Sequence, residues 1–270
     1  MMISKKLFKL FADNYFISVI LACVLFVGLV SVYKLFFVKD TYVYAKVKMG
    51  QGLWWASTAK PAIWFVEALK KGDVERSLTG KATAEILNVH YYPWWGSGQY
   101  DVYLYLKLKV SGNPKTGKYN FKRSTIGVGS PIDFEFPSAQ FSGTVVDMNS
   151  EPIKEQLFDK AITLTKKNAF PWEYDAIKIG DAYFNGEHTV FEILEKKAID
   201  TYTQSSDVYG NSTDAIIDSK KYIQVKAKIK VLKKNNQLIF GEEQIVTPGK
   251  NLNISTSSFT FQEYVVGGVE

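Results

Sequence analysis

The hydrophobic pattern of the chain starts with an almost unbroken apolar run at 15–38, YFISVILACVLFVGLVSVYKLFFV. About twenty apolar residues precede Lys34, and a helix of that length spans a hydrocarbon core roughly 30 Å thick. The run is longer than the apolar part of a secretory leader and has no A-x-A-like cleavage site, although three lysines precede it. It predicts an uncleaved transmembrane helix at 15–38, with a cleaved leader or a lipoprotein signal at Cys23 as alternatives.

Positively charged residues flank this run on both sides in nearly equal number, so charge alone does not orient the helix. The segment 1–14 is short, and large C-terminal domains are translocated largely regardless of their charge. We therefore expect 1–14 to be a cytoplasmic head and the rest of the chain to be extracytoplasmic. The predicted location is the inner or cytoplasmic membrane, single-pass, in contact with the lipid bilayer.

Beyond residue 38 the pattern changes to short stretches of apolar, β-branched and aromatic residues, separated by Gly, Pro and Asn. Such stretches are typical of β-strands bounded by turns. The predicted strands are 82–89, 102–110 and 132–136, with counterparts at 189–194, 222–232 and 252–255.

Short motifs recur in the same order at a spacing of about 108–121 residues, which indicates an internal repeat. The matching pairs are Trp64 with Trp172, the turn signal Gly72-Asp73 with Gly180-Asp181, and 106–110 with 227–231. Between the copies, 151–168 has Pro152 near its start and apolar residues close to an i, i+4 spacing, which predicts a connecting helix.

The predicted fold class is therefore mainly β, with one N-terminal transmembrane helix. Two duplicated small antiparallel β units, barrel- or sandwich-like, occupy 39–150 and 169–270 and are joined by the short helix at 151–168.

A Lys-x-Gly-Asp motif at 70–73 and 178–181 is followed in each copy by a second motif, VGSPI at 128–132 and PGKNL at 248–252. With these motifs and a late Val-Val strand, the chain resembles an uncharacterised bacterial family of single-pass, membrane-anchored β-rich proteins, known as a domain of unknown function. It is similar, more loosely, to the β-barrel domains of periplasmic adaptor (membrane-fusion) proteins. The resemblance implies a β fold and membrane anchoring, and it supplies no catalytic residues.

The charge of the chain is moderately basic, with 33 Lys and Arg against 27 Asp and Glu and a net charge of +6. The basic residues are spread along the chain and include only two arginines, Arg76 and Arg123, whereas nucleic-acid sites usually show a dense basic patch with arginine forks. No nucleic-acid partner is predicted. Cys23 is the single cysteine, so an intramolecular disulfide is excluded.

No residue pattern predicts an active site, a cofactor site or a metal site. The two histidines, His90 and His188, have no carboxylate or cysteine at metal-ligand spacing. No serine lies in a G-x-S-x-G motif, and no glycine series opens a helix after a strand, as phosphate loops require. The sequence therefore predicts a protein that is not an enzyme and needs no cofactor.

Two aromatic clusters are the candidate contact residues: Trp54, Trp55, Tyr92, Trp94 and Trp95. Adjacent tryptophans in a strand point to opposite faces, so at least one ring of each Trp-Trp pair is expected to be exposed. Three interpretations stay open, namely packing within the β unit, contact with a membrane interface or protein partner, and stacking on a sugar.

The segment 200–218 is rich in Ser, Thr, Asp and Asn and predicts a long surface loop. The leading functional hypothesis is a non-enzymatic, membrane-anchored envelope protein, a structural or scaffold subunit that binds other envelope proteins or itself through its β units. The alternative is an extracytoplasmic glycan- or ligand-binding module that uses the Trp94-Trp95 loop.

Overall fold

A computed structural model describes residues 15–37, 40–50, 60–94, 98–113, 117–206 and 212–270, with the backbone alone described at 17, 34–37, 113, 200–206 and 212–219. The chain divides into two compact units, Met1–Thr41 and Tyr42–Glu270. The described residues of the first unit include the helix α1 (Tyr15–Phe37).

Among the described residues, no helix has both the length and the apolar character that crossing a membrane requires. The prediction of a transmembrane helix at 15–38, and of a single-pass membrane location, is therefore wrong by this finding.

Over its described residues, the second unit contains two sheets whose strand pairs are all antiparallel, which confirms the prediction of a mainly β fold. We call the part that forms the first sheet repeat 1 (41–149) and the part that forms the second sheet repeat 2 (157–269). Repeat 1 consists of β1 (Thr41–Met49), α2 (Ile63–Ala68), β2 (Val74–Arg76), β3 (Ala82–Trp94), β4 (Gln99–Asn113), β5 (Lys118–Phe121), β6 (Ser124–Ile126), β7 (Pro131–Glu135) and β8 (Gln140–Asn149).

Repeat 2 follows the same succession of elements, except that no strand among its described residues corresponds to β7. It consists of β9 (Leu157–Ala169), α3 (Pro171–Ala176), β10 (Ala182–Phe184), β11 (Thr189–Ser206), β12 (Ser212–Lys234), β13 (Gln237–Phe240), β14 (Gln244–Ile245) and β15 (Val265–Val269). The order β2-β3-β4-β1-β8 in the first sheet matches β10-β11-β12-β9-β15 in the second, and β5-β6 matches β13-β14.

The turns before β2 and β10 are also equivalent in the two repeats, because each contains the same backbone hydrogen bond. Gly72 N donates to Ile86 O at 2.8 Å, and Gly180 N donates to Ile193 O at 2.8 Å. Both glycines have a positive φ, +88° and +84°, which side chains of L-residues rarely tolerate. Glycine is therefore required at this turn in each repeat.

The predicted connecting helix at 151–168 is wrong, because 157–169 forms β9, the first strand of repeat 2. Its burial alternates around Ile162 and Leu164, which are 1% exposed, with Thr163 between them. Burial that alternates with a period of two, together with β-branched residues, favours a strand over the helix that the approximate i, i+4 spacing predicted. The repeats are instead joined by 150–156, which has no regular secondary structure.

The predicted surface loop at 200–218 is also wrong over its described part. The strands β11 and β12 pair with each other as far as Ser206 and Ser212. Pairing of β12 with β9 ends at Lys221. Between this residue and the Ser206–Ser212 pair, β11 and β12 form a two-stranded arm. The Thr-rich sequence of the arm is compatible with extended backbone.

Each sheet covers its own hydrophobic core. The core of repeat 1 includes Ile86, Leu104, Leu106 and Phe134, which are fully buried. The core of repeat 2 contains an edge-to-face aromatic group of Phe191, Phe259, Phe261 and Tyr264.

Asp181 connects the turn before β10 to the segment 256–258. Its carboxylate accepts from Thr256 Oγ1 at 2.9 Å, from Ser257 Oγ at 3.1 Å and from Ser258 Oγ. These hydroxyl groups, Ser258 first, hold the pKa of Asp181 below its usual value although burial acts to raise it. Hydrogen bonds that favour the ionised form in the folded state stabilise the fold while the carboxyl is ionised.

Asp181→Asn is expected to lower the free energy of unfolding by about 1 kcal/mol at neutral pH, since the carboxylate is partly screened by solvent. A lowered folded-state pKa gives stability that is full above the unfolded pKa of about 4 and is lost as pH falls through the folded pKa. Urea unfolding of both proteins should therefore show a constant difference above about pH 5 that shrinks toward pH 3.

The matched control is Asp73→Asn in repeat 1, because Asp73 Oδ2 has no hydrogen-bond partner among the described residues. This variant removes no hydroxyl contact from Oδ2, so a smaller change is expected. Equal losses in the two variants would show that the hydroxyl contacts of Asp181 do not stabilise the fold.

Candidate functional site

The two repeats contact each other where the end of β3 meets the turn 185–188 of repeat 2. Tyr91 N donates to Asn185 O at 2.9 Å, and Tyr183 Oη donates to Tyr91 O at 2.9 Å. Gly186 lies so close to β3 that a Cβ on it would come within 2.4 Å of Val89 O. Glycine at this position allows the two backbones to approach.

Tyr92 extends from β3 into the hydrophobic core of repeat 2. Its ring lies 6.0 Å from the ring of Phe240, and its hydroxyl accepts a hydrogen bond from Asn185 Nδ2 at 2.9 Å. Both polar groups are buried, so each satisfies the other. The contact ties an aromatic side chain of repeat 1 to the interior of repeat 2.

A charged cluster lies beside this contact and consists of Lys46, His90, Glu155, Glu187 and Glu242. Lys46 Nζ lies 2.5 Å from Glu155 Oε1 and also contacts Glu242 Oε2. His90 Nδ1 lies 3.1 Å from Glu242 Oε1, and His90 Nε2 lies 2.7 Å from Glu187 Oε2. The side chains of Lys46, His90 and Glu242 are buried, with Glu242 only 3% exposed.

Five separate segments position these side chains. Lys46 lies on β1 and His90 on β3, so both come from repeat 1. Glu155 comes from the linker 150–156, Glu187 from the turn before β11 and Glu242 from the turn after β13. The charged cluster therefore joins repeat 1, the linker and repeat 2.

The electrostatics of the cluster favour ionised groups. Burial lowers the pKa of His90, but its hydrogen bonds with Glu242 and Glu187 outweigh burial and raise the pKa above 6.5. Burial acts to raise the pKa of Glu242 and of Glu187. The hydrogen bond and charge of His90, together with Lys46 at Glu242 and Asn88 at Glu187, outweigh burial, so each pKa is lowered. Protonated His90 donates to a carboxylate from each ring nitrogen.

Linker residues 152–155 line two cavities that border the cluster. The larger, with a volume of about 1080 Å³, is lined by Lys46 and Glu242. The smaller, of about 300 Å³, is lined by His90, Glu187 and the exposed His188. Small solutes can therefore approach the cluster from two directions.

Chemically, this arrangement can hold the repeats together and can offer one nitrogen and several oxygen donors to a cation. One donor atom each from His90, Glu155 and Glu242 lies within 4.8 Å of the other two. The imidazole pairs with two carboxylates, and the cluster as defined contains no serine, threonine or cysteine.

The aromatic residues predicted from sequence lie at different places. Tyr92 is buried between the repeats, as described above. Trp94 is 37% exposed, and Lys60 Nζ lies over its ring at 3.4 Å from the centroid. Trp54, Trp55 and Trp95 lie outside the described residues.

Sequence reasoning missed two kinds of candidate residue. The charged cluster has no sequence signal, because Lys46, His90 and Glu242 are far apart in the chain. Trp64 and Trp172 did carry a signal, since they are equivalent positions of the repeat. They are the second residues of α2 and α3 and are 70% and 62% exposed.

Comparison of the chain with protein-family models, with curated proteins and with solved structures finds no match. The family resemblance drawn from the sequence motifs therefore stays a prediction.

Proposed function

We propose that the β region is a non-enzymatic scaffold module that binds protein partners through two equivalent surfaces, one on each repeat. The observation that carries this proposal is the exposure of Trp64 and Trp172 at the same position of the two repeats. A single exposed apolar residue is ordinary, but the same large side chain exposed twice in a duplicated framework is not required by packing.

The surroundings of each tryptophan are apolar as well. Ile63 beside Trp64 is 38% exposed, and Phe170 beside Trp172 is 46% exposed. Tryptophan is enriched among the residues that contribute most to protein binding, because its large ring buries much apolar area at little entropic cost. Each short helix thus presents an indole with an apolar neighbour.

The ring contacts of Trp64 and Trp172 leave most of each side chain accessible. Trp64 meets the edge of Phe65, with ring centroids 5.6 Å apart, and Trp172 lies 6.4 Å from Phe259. These contacts fix the base of each side chain while more than half of its surface stays exposed. A partner can therefore cover both rings without unfolding either repeat.

The test is to isolate the full chain from its native source through a C-terminal tag and compare it with the double variant Trp64→Ser and Trp172→Ser. The wild type should retain a defined set of proteins, and the double variant should lose it. Loss of a single central tryptophan is expected to weaken binding by about 2 kcal/mol, or roughly thirtyfold. Sedimentation of the purified chain at several concentrations detects the case in which the partner is a second copy.

The matched control is Leu78→Ser, which removes another exposed apolar side chain that belongs to neither helix. It should leave the bound set unchanged. Binding of the same proteins by wild type and double variant, or equal loss in the Leu78 variant, would contradict the proposal.

A further inference from the structure

The charged cluster has the donor set of a transition-metal site. We infer that His90, Glu155 and Glu242 bind a divalent transition-metal ion, for which Zn²⁺ is the natural probe. A ring nitrogen with two carboxylates is a donor set that zinc accepts, whereas Mg²⁺ and Ca²⁺ prefer oxygen ligands alone.

The distances between donors are close to those that a metal needs. A tetrahedral ion with ligand bonds of about 2.1 Å separates its donors by about 3.4 Å. The three donor atoms lie within 4.8 Å of one another. Each pair therefore needs to close by no more than about 1.4 Å, which rotation of a carboxylate supplies.

The imidazole of His90 is oriented as metal-bound imidazoles are. Its Nε2 lies 2.7 Å from Glu187 Oε2, and its Nδ1 faces Glu242. Metal-bound histidines commonly donate their second ring N–H to a carboxylate, which fixes the ring and makes the ligating nitrogen more basic. Glu187 is thus a positioning residue, and Nδ1 is the ligand after its proton leaves to solvent.

The cluster already stabilises positive charge at this place. Lys46 Nζ contacts both Glu155 and Glu242, so an ammonium group occupies the space between the two carboxylates. A divalent ion would supply the same two positive charges that Lys46 and protonated His90 now supply.

Binding of the ion requires Lys46 Nζ to move out of the cluster, and there is room for that movement. The cavity of about 1080 Å³ is lined by Lys46 and also by Asp147 and Glu151, which offer other acceptors for the ammonium group. Lysine has a flexible stem with four rotatable carbons, so this exchange costs little strain. We expect metal binding to be an exchange of one cation for another.

Titration calorimetry of the full chain, stripped of metal with a chelator, tests the site directly. ZnCl₂ should bind with one ion per chain and a dissociation constant of about 1 μM or tighter, and MgCl₂ should not compete. Glu155→Gln should weaken Zn²⁺ binding at least about tenfold, since disturbing even an outer-shell partner has that effect. Circular dichroism checks that this variant folds.

The matched control is Glu243→Gln, a neighbouring carboxylate that pairs with Lys48 rather than with the cluster. It should keep wild-type affinity for Zn²⁺. A second readout is thermal unfolding, where excess Zn²⁺ should raise the melting temperature of wild type and leave that of Glu155→Gln nearly unchanged. Absence of Zn²⁺ binding by the wild type, equal binding by Glu155→Gln, or equal loss in Glu243→Gln would overturn the inference.

Discussion

Replacing Lys46 by methionine is expected to lower the free energy of unfolding by about 3–5 kcal/mol. The substitution keeps the unbranched stem but removes the ammonium group that Glu242 and Glu155 share. Glu242, only 3% exposed, would then keep a buried charge with less compensation. Chemical denaturation at neutral pH, followed by tryptophan fluorescence, measures the loss.

The control for this variant is Lys226→Met, which breaks an ion pair with Glu270 at 3.2 Å on the surface. Exposed pairs contribute about 0–1 kcal/mol, so the control should unfold almost as the wild type does. If Lys46→Met also unfolds as the wild type does, the buried ion pairs make no net contribution to joining the repeats.

Replacing Tyr92 by alanine is expected to cost about 3–5 kcal/mol, the usual range for removing a buried aromatic ring. The loss has two sources: a cavity beside Phe240 and an unpaired Asn185 amide inside the protein. Because the ring belongs to the core of repeat 2, amide exchange should accelerate in β11 and β12 as well as in β3.

Tyr92→Phe separates the two sources, since it keeps the ring and removes the hydroxyl that accepts from Asn185. It should cost about 1 kcal/mol. A full-sized loss in the phenylalanine variant would mean that the hydrogen bond, not the packing, holds the repeats together. No effect of either variant on exchange in repeat 2 would contradict the placement of Tyr92 in that core.

Strand positions were largely accessible from the sequence because their signals are local. The predicted stretches 82–89, 102–110 and 132–136 lie within or overlap β3, β4 and β7. The stretch at 252–255 contains one isolated bridge, Ser255 with Thr260, instead of a strand. Alternation identifies extended backbone, but whether a neighbouring strand pairs with it depends on distant residues.

The errors at 151–168 and 200–218 have the same origin. In β9 the apolar residues Ile162 and Leu164 fit both a loose helical spacing and a strand, and only pairing with β12 and β15 decides between them. In the two-stranded arm, polar Ser and Thr residues indicated a loop. The two strands nevertheless pair, so the backbone N–H and C=O groups of each form hydrogen bonds with the other. Local composition does not report such pairing.

The candidate site was the least accessible part, since it is assembled by tertiary contacts. His90 and Glu242 are 152 residues apart in the chain and meet at 3.1 Å. The sequence around either residue contains no signal that predicts their contact. Trp64 and Trp172 were accessible, because equivalence in the repeat marks them, but their exposure follows only from the position of α2 and α3.

The pairing of first and last strands within each repeat also bears on how such a chain can grow. Tyr44 near the start of β1 pairs with Asn149 at the end of β8, and Ile162 in β9 pairs with Val269 in β15. The first and last strands of each repeat therefore lie side by side. A gene segment encoding one repeat can be copied in tandem, or moved into the loop of another protein, without re-routing any strand, because adjacent ends tolerate insertion.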